Sequence, residues 1–417
     1  MMKNASLFMQ KSSKIKTFGQ SMQPLFFDGD IVYLKRIKFP QLKVNDIVCV
    51  KKNDDNFTHR VIYKSRSYLI TKGDNNKKSD GKIYSRQIIG RVYQAKRNNQ
   101  IFRPEELYLM QSTLYFLEIV KIKKILEKEG IDFVFLKGLP LHFYFEKNHP
   151  QRIYLDCDIL VAKKNFEKTV CVLRSFGYKK IDTSLSKTQK KLKDKEIEAS
   201  FYKVISGFPV VFDVHLEAAF LMTQLGRLEA LYQQKLVNQL TDVFLKEKKY
   251  IRVKNEKFPI LSADNLIIYL ALHFFHHNFK GAFRLEFLNR VINHHLSKNR
   301  GNTESRISQK IVHYRLQNFI YPTLILLNRY YHSPAVKKLL TLLKKKVTRF
   351  NKKNVLKVNI FDEETRLTAG ITRFTNLFLL SPNSFLRKMT IFLNPQVLYL
   401  LFWVIAAKLR SKSRLFR

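Results

Sequence analysis

Acidic residues are scarce in this chain of 417 residues, which carries 33 Asp and Glu against 76 Lys and Arg. The formal net charge of +43 favours polyanionic partners, namely nucleotides, RNA or an anionic membrane surface, although an AT-rich coding sequence would also enrich lysine. There are only 3 cysteines and no CxxC spacing, so we expect a reducing compartment and no zinc site. Residues 1–20 lack an apolar run, so we expect neither a secretory signal nor an N-terminal membrane anchor.

What is present favours more than one domain, because 45% of the residues are hydrophobic and the chain is long for one core. We predict an α+β, multidomain protein. A small all-β domain is followed by an α/β domain, and helices dominate from about residue 218. The polar patch Lys96–Gln100 is the expected boundary between the two domains. The predicted ranges are a tail over 1–16, a β-domain over 17–98, an α/β domain over 104–300 and a basic helical region over 301–417.

The chain carries one long apolar segment near its C-terminus, VLYLLFWVIAA, Val397–Ala407. It is about half as long as a membrane-spanning helix. Within residues 390–407 we therefore expect a packed terminal helix or a helix lying on a membrane surface, with a short span as the third alternative.

The apolar stretch IYLDCDILV, Ile153–Val161, contains two acids, Asp156 and Asp158. Residues two apart in a strand project from the same face, so the two carboxylates are expected to lie side by side. Adjacent buried carboxylates stay ionised only when a cation lies between them or a proton is shared. The pattern therefore favours a divalent-cation site, with a solvated strand end as the alternative.

Two further segments fit such a site. Asp213 lies inside the apolar run VVFDVHLE and could supply a third carboxylate for a two-metal site. Lys137 and Gly138, in FLKGLPLHF, fall between a predicted strand and a helix, where backbone N–H groups can hold phosphate.

The ordered set FLKG, RIYLDCDILV, FDVHLE and LALHFFHHNFKG resembles the polymerase-beta-like nucleotidyltransferases, in particular a branch with a Lys-Gly loop. The resemblance implies an NTP substrate, with ATP expected, and Mg²⁺ or Mn²⁺ as cofactor. Its metal ligands would be Asp156, Asp158 and Asp213, and its nucleotide contacts Lys137, Gly138 and Arg152. This sequence departs from the family pattern at Asp213, where Glu is frequent, and at Asn289, where an acid is common.

His273 and His277 are four apart on a predicted helix and share one face. No Glu follows His273, so the HExxH zinc motif is absent. Packing or a nucleotide contact is the favoured interpretation, with zinc as the alternative.

The β-domain carries a second constellation of Ser21, His59, Asp74 and Asp80. A serine hydroxyl needs a base to accept its proton, and the base needs an orienting acid. The phrases GQSMQP, HRVI and KGDNNKKSD resemble the signal-peptidase and LexA-like serine peptidases. That resemblance implies Ser21 as nucleophile, His59 as base, Asp80 as orienting acid and Asp74 in support.

Two positions depart from that peptidase family. Asn45 stands where the family usually has glycine, and Gly19 where many members place a serine hydroxyl in the oxyanion hole. The missing N-terminal anchor and the fused nucleotide-using domain favour a cytoplasmic peptidase over an exported one.

The combined hypothesis is a bifunctional enzyme that modifies and trims a peptide. Its location is expected to be cytoplasmic, or peripheral at the membrane through residues 390–407. The alternative is a basic scaffold of degenerate enzyme domains that binds nucleic acid or a membrane.

Overall fold

The computed structural model describes residues 13–53, 55–155, 157–181, 198–218, 228–296, 303–347, 355, 357–393, 398 and 402. The chain divides into two compact units. The first unit extends to Ser112 and also includes His149–Ile153 and Phe361–Glu363, and the second unit holds the remainder. The predicted α+β class is confirmed, since each unit contains a sheet and the C-terminal half is mainly helical.

The first unit is built on an 8-stranded antiparallel sheet in the order β1-β2-β7-β3-β4-β5-β6, with β8 paired to β7. Its strands are β1 (Ser13–Lys16), β2 (Ile31–Lys35), β3 (Ile47–Lys52), β4 (Asp55–Lys64), β5 (Tyr68–Lys72), β6 (Lys82–Tyr84), β7 (Ile88–Arg97) and β8 (Gln100–Phe102). Strands β2, β3, β4, β5 and β7 are rich in β-branched and aromatic residues, which favour extended structure. Along β2, buried side chains alternate with partly exposed ones, as the two-residue period requires.

The expected boundary at Lys96–Gln100 is corrected by the structure. Asn98 and Asn99 both adopt positive φ, and Arg97 pairs with Gln100. The patch is therefore a tight hairpin turn between β7 and β8, a conformation that asparagine tolerates better than most residues.

The second unit contains a 7-stranded mixed sheet in the order β11-β12-β13-β10-β9-β15-β14. Its strands are β9 (Phe133–Lys137), β10 (Cys157–Val161), β11 (Lys179–Lys180), β12 (Glu198–Ile205), β13 (Phe208–His215), β14 (Lys249–Val253) and β15 (Glu256–Ile260). The central pair β10–β13 is parallel, and β10 pairs antiparallel with β9.

The helices are α1 (Pro104–Lys128), α2 (Leu139–Glu146), α3 (Phe166–Ser175), α4 (Gln234–Lys246), α5 (Ala263–His276), α6 (Ala282–Leu296), α7 (Thr303–His313), α8 (Gln317–Tyr331), α9 (Pro334–Lys344), α10 (Arg366–Leu380) and α11 (Phe385–Met389). Helix α5 is buried on all sides from Asp264 to Phe275. Its sequence is apolar around the whole circumference, which is typical of a central helix.

Two hairpins of this sheet turn at residues with positive φ. The β12–β13 turn lies at Ser206–Gly207, where φ is 48° and 82°. The β14–β15 hairpin was missed. Its turn residue Lys254 has φ of 53° and carries no glycine signal.

The predicted strand over Ile153–Val161 is shorter than expected. Strand β10 begins at Cys157, and Leu155 is 53% exposed outside any strand. Asp156 lies outside the described residues, so its position beside Asp158 stays a prediction.

The C-terminal apolar segment also lies almost entirely outside the described residues, of which only 398 and 402 fall within Val397–Ala407. Among the residues described, none of the helices combines the length and apolarity needed to cross a bilayer.

Candidate active sites

The first unit brings together the serine, histidine and aspartate that the sequence singled out. The Ser21 Oγ atom lies 3.0 Å from His59 Nε2, and His59 Nδ1 lies 2.8 Å from Asp80 Oδ2. Thr71 Oγ1 donates a second hydrogen bond of 2.7 Å to the same carboxylate oxygen. His59 is only 6% exposed, so its ring is held in a largely dry setting between the hydroxyl and the acid. This arrangement lets Nε2 accept the serine proton while Nδ1–H donates to Asp80.

Asp74 does not join this chain of hydrogen bonds. It accepts two hydrogen bonds from Arg60, from Nε at 2.7 Å and from Nη2 at 2.6 Å. Arg60 is buried and also donates to the Tyr108 hydroxyl and to the carbonyl of Asn45. Asp74 thus supplies the counter-charge for a buried arginine that follows His59 on β4.

Arg60 was missed by the sequence reasoning, although it stands beside His59 in HRVI. Asn45, which replaces the family's usual glycine, has φ of 78°. Asparagine is among the few non-glycine residues that adopt this conformation readily, so the departure does not disturb the backbone.

Gly73 lies against the serine. A Cβ atom there would be 2.6 Å from the Ser21 carbonyl oxygen and 3.0 Å from His59 Nε2. Asn75 N–H donates to the same carbonyl at 2.8 Å, which ties the serine loop to the segment after β5. The close approach explains why this position has no side chain.

A small cleft of about 80 Å³ opens beside Ser21. Apolar side chains form much of its wall, namely Ile15, Met22, Phe26, Phe27 and Phe57. A cleft of this size has room for one apolar side chain of modest size beside the Ser21 hydroxyl.

In the second unit, Lys137, Asp158 and Asp213 occupy one row across three neighbouring strands. Asp158 on β10 is the register partner of both Asp213 on β13 and Lys137 on β9. The Lys137 Nζ atom lies 3.0 Å from Asp158 Oδ2. Ser200 on β12 continues the row and donates its hydroxyl to Asp213 Oδ1. The register therefore places two carboxylates and one ammonium side by side.

His215 adds a second positive partner that the sequence reasoning missed. Its Nε2 atom lies 2.9 Å from Asp158 Oδ1, and both side chains are almost fully buried. The signal was present, since His215 follows Asp213 by two residues and so shares its face of β13.

The two aspartates have opposite pKa shifts. Burial would raise the pKa of Asp158, but the Lys137 ammonium and the hydrogen bond from His215 lower it below its usual range. Burial and the negative charge of Asp158 raise the pKa of Asp213 to about 6. The row thus has a deficit of positive charge at Asp213, which a divalent cation would supply.

The Lys137-Gly138 loop lies at the junction of β9 and α2. Gly138 is the N-cap of α2 with φ of 113°, a conformation that favours glycine strongly. The first-turn N–H groups of Leu139 and Leu141 have no partner within their own helix, and Pro140 has no N–H. This is the geometry that receives an anion at a helix start.

Arg152 belongs to the segment His149–Ile153 of the first unit, and Asp156 is outside the described residues. Within the described part of the chain, no group of three or more His, Cys, Asp or Glu side chains is arranged to hold a metal ion.

His273 and His277 do share one face of α5 and its C-cap, as expected. Their Nε2 atoms are 3.2 Å apart, and His273 is 5% exposed. Burial lowers the pKa of His273 well below its usual value, and the nearby Lys137, His277 and Arg284 lower it further. Both imidazoles are therefore neutral near pH 7, and one donates its N–H to the other.

Residues 95–332 match the family described as uncharacterised nucleotidyltransferase, which is more than half of the chain. The chain belongs to this nucleotidyltransferase family. The match includes Lys137, Asp158 and Asp213, and also the histidine pair.

Two further comparisons cover parts of the chain. Over 73 residues it is 38% identical to the signal peptidase complex catalytic subunit SEC11 of Clavispora lusitaniae, which is 16% of this chain and 43% of that protein. The chain thus spans less than half of that relative. It is also similar to an antigenic nucleotidyltransferase-like protein from Paracoccidioides brasiliensis, at 14% identity and a TM-score of 0.30, over 62% of this chain and 94% of that one.

Proposed function

We propose that the second unit transfers a nucleotidyl group from an NTP, with ATP as the first candidate, to an acceptor that is still to be identified. The single observation that carries the proposal is the row of Lys137, Asp158 and Asp213 in a chain that belongs to a nucleotidyltransferase family. Core packing alone does not explain why Lys137, Asp158 and Asp213 lie side by side on adjacent strands, because buried carboxylates in contact repel each other.

The carboxylates of Asp158 and Asp213, together with Asp156, would hold Mg²⁺ or Mn²⁺, which would polarise the α-phosphate and offset the charge of the leaving pyrophosphate. The raised pKa of Asp213 supports this fit, since burial and the charge of Asp158 leave its carboxylate short of a positive partner.

The residues of the chain have separate roles in the proposed step. An acceptor oxygen forms a bond to the α-phosphorus, the bond from that phosphorus to the bridging oxygen breaks, and pyrophosphate leaves. Asp213 lies beside Asp158 in the row, and its carboxylate would accept the acceptor's proton. Lys137 and the N–H groups after Gly138 hold the phosphates in place.

The test is label transfer from α-³²P-ATP and Mg²⁺ to protein, peptide and RNA fractions. Asp158→Asn keeps the shape but loses the charge, and it should abolish transfer. Asp242→Asn, the same change on an exposed face of α4, is the matched control and should keep it. Equal transfer by both variants would remove the proposed site.

A second activity is supported by a separate observation, the chain of contacts from Ser21 through His59 to Asp80. We propose that this unit hydrolyses a peptide bond. Ser21 Oγ attacks the carbonyl carbon, His59 takes its proton and gives it to the leaving amine, and water then releases the acyl-serine. Asp80 keeps the His59 ring in the required tautomer.

A fluorophosphonate probe tests this activity, since it reacts with activated serines. The wild-type chain should be labelled at Ser21, and Ser21→Ala and Asp80→Asn should lose the label. Ser67→Ala, at an exposed serine of the same unit, is the control. Labelling that survives Ser21→Ala would reject the assignment.

The two activities suggest joint modification and trimming of one peptide in the cytoplasm, with residues 390–407 as a peripheral membrane contact. If neither activity is found while RNA or anionic vesicles bind in a salt-sensitive manner, the chain is a basic scaffold instead. The net charge of +43 is the observation that favours this second candidate.

A further inference from the structure

The short helix α11 and the 3₁₀ turn that follows it, Thr390–Leu393, expose large apolar side chains. The exposed side chains are those of Phe385, Leu386, Met389 and Leu393. Positions 386, 389 and 393 follow the spacing of one helix face, and Phe385 lies beside them. Ile391, on the opposite side, is 1% exposed. The apolar face of residues 385–393 is thus turned to solvent, whereas a surface helix usually turns its apolar face to the core.

The segment that carries this apolar face is held in place from behind. Just before α11, Ser381 Oγ donates a hydrogen bond of 2.6 Å to the Leu231 carbonyl. The ring centroids of Phe378, near the end of α10, and Phe392, in the 3₁₀ turn, are 5.8 Å apart. The exposure of the apolar face is therefore a property of a packed segment. Clustered exposed apolar side chains of this kind mark a surface that meets a partner.

The region of the chain around the apolar face carries charge of one sign. Residues 365–417 contain no Asp or Glu. Their basic residues are Arg366, Arg373, Arg387, Lys388, Lys408, Arg410, Lys412, Arg414 and Arg417. Arg387 lies 3.8 Å from Glu229 with both side chains about half exposed, which makes a weak pair. The positive charge thus comes from many residues and does not depend on a single unpaired side chain.

We propose that the apolar face of residues 385–393 docks on the surface of an anionic lipid bilayer. Leu398 and Phe402, four residues apart, are also exposed and extend the apolar surface along the chain. Apolar side chains would enter the boundary between headgroups and acyl chains, while the basic side chains stay among the anionic headgroups.

This inference rests on the membrane contact suggested for residues 390–407 within the proposed function, and it is independent of the two catalytic activities. It adds α11 to that contact and specifies the charge of the lipid. None of the helices within the described residues is long and apolar enough to span a bilayer, so the contact is a docked surface.

A second copy of the chain is the competing occupant, since exposed apolar faces also form dimers. In a twofold dimer the same surface of both copies would meet, and their basic regions would repel each other. An anionic bilayer offers the opposite charge. The charges therefore favour the lipid.

The test uses Trp403, which is the only tryptophan of the chain and follows Phe402 in the sequence. Its emission is titrated with vesicles of phosphatidylcholine alone and of phosphatidylcholine mixed with phosphatidylglycerol. Wild type should show a blue shift with the mixed vesicles, and brominated lipid should quench the emission. Affinity for the mixed vesicles should fall as the salt concentration rises.

The double variant Leu386→Gln, Leu393→Gln should bind the mixed vesicles about tenfold or more weakly, because two large side chains no longer enter the bilayer. Both leucines are about 80% exposed, so the variant should fold as wild type does. Leu109→Gln, Leu117→Gln makes the same change at two exposed leucines of α1. This control should bind the vesicles as wild type does.

Wild-type affinity of the Leu386→Gln, Leu393→Gln variant for the mixed vesicles would reject the docking surface. Equal binding of wild type to both kinds of vesicle would reject the anionic lipid. A dimer that forms without lipid and is lost in this variant, measured by light scattering, would reject the proposal in favour of self-association. Label transfer from ATP should be equal in the variant and wild type, so a failed docking surface leaves the proposed nucleotidyl transfer standing.

Discussion

Gly73 shows at the scale of one residue how closely the serine site is packed. The neighbour that a side chain would meet is a backbone carbonyl, that of Ser21, which has little freedom to retreat. The phrase KGDNN in the sequence pointed to this segment, but only the structure reveals the close approach.

Gly73→Ala should therefore abolish fluorophosphonate labelling at Ser21, because the new Cβ would displace the serine carbonyl or the His59 ring. Gly370→Ala is the control, since a Cβ there meets nothing within 4 Å. Intact-protein mass spectrometry measures the label. Unchanged labelling of Gly73→Ala would contradict the geometry of the site.

Loss of the Asp213 carboxylate should have opposite effects on stability and on the proposed activity. Its pKa is raised to about 6 by burial and by Asp158, so the folded state retains its proton to higher pH than the unfolded state. Stability is therefore lost as pH rises from about 4 to about 6 and stays low above that range.

Asp213→Asn removes this charge and should raise the free energy of unfolding at pH 7.5 by about 1–3 kcal/mol while abolishing label transfer. Urea denaturation at pH 7.5 and pH 5 measures the difference, which should shrink at the lower pH. A loss of stability at pH 7.5 would show that the carboxylate is not strained in the free protein.

At the scale of elements, the register of three strands produces the proposed site. The apolar runs predicted β9, β10 and β13, and each run contained the relevant charge, but which strands are neighbours is a property of the sheet. The β14–β15 hairpin was missed because it turns at Lys254 without glycine, although KYIRV carries the polar–apolar alternation of a strand. The roles of His215 and Ser200 depend on pairing in the same way, since both lie next to Asp213 or Asp158 only after β12, β13 and β10 have aligned.

The end of helix α5 makes a prediction about acid sensitivity. His273 and His277 have lowered pKa values because of burial and nearby cations, so below about pH 6.5 the unfolded state binds more protons than the folded state. The free energy of unfolding should fall as pH decreases from 7.5 to 5.5, by at most about 1.4 kcal/mol per histidine and pH unit.

The double variant His273→Gln, His277→Gln should show a shallower fall over that pH range. His313→Gln, at an exposed histidine of α7, should keep the wild-type slope. Urea denaturation at several pH values gives the slopes. Equal slopes for the double variant and wild type would mean that the pair is not held neutral.

At the scale of the whole molecule, the sequence could not show which segments belong to which of the two units. The first unit includes Phe361–Glu363, which the sequence placed in a basic helical region. Asp362 Oδ1 accepts hydrogen bonds from Ser79 N at 3.0 Å and Ser79 Oγ at 2.7 Å, and Ser79 precedes Asp80. A contact between residues 283 positions apart is not visible in any local sequence pattern, whereas the strands and turns on either side of it are.

Asp362→Ala should slow labelling of Ser21 by the fluorophosphonate probe, because the loop before Asp80 loses two hydrogen bonds. Label transfer from ATP should be unchanged, since the residues proposed for it are elsewhere. Lys357→Ala, at an exposed position of the second unit, serves as the control. Labelling at the wild-type rate would show that this segment does not support the serine site.

The central claim is that Asp158 and Asp213 bind a divalent cation for nucleotidyl transfer. Anomalous diffraction from crystals grown with Mn²⁺ and a non-hydrolysable ATP analogue tests it most directly. We expect a manganese peak coordinated by both carboxylates, with Lys137 moved from Asp158 towards a phosphate. A nucleotide bound elsewhere, or a Mn²⁺-free row in which Lys137 still pairs with Asp158, would contradict the account.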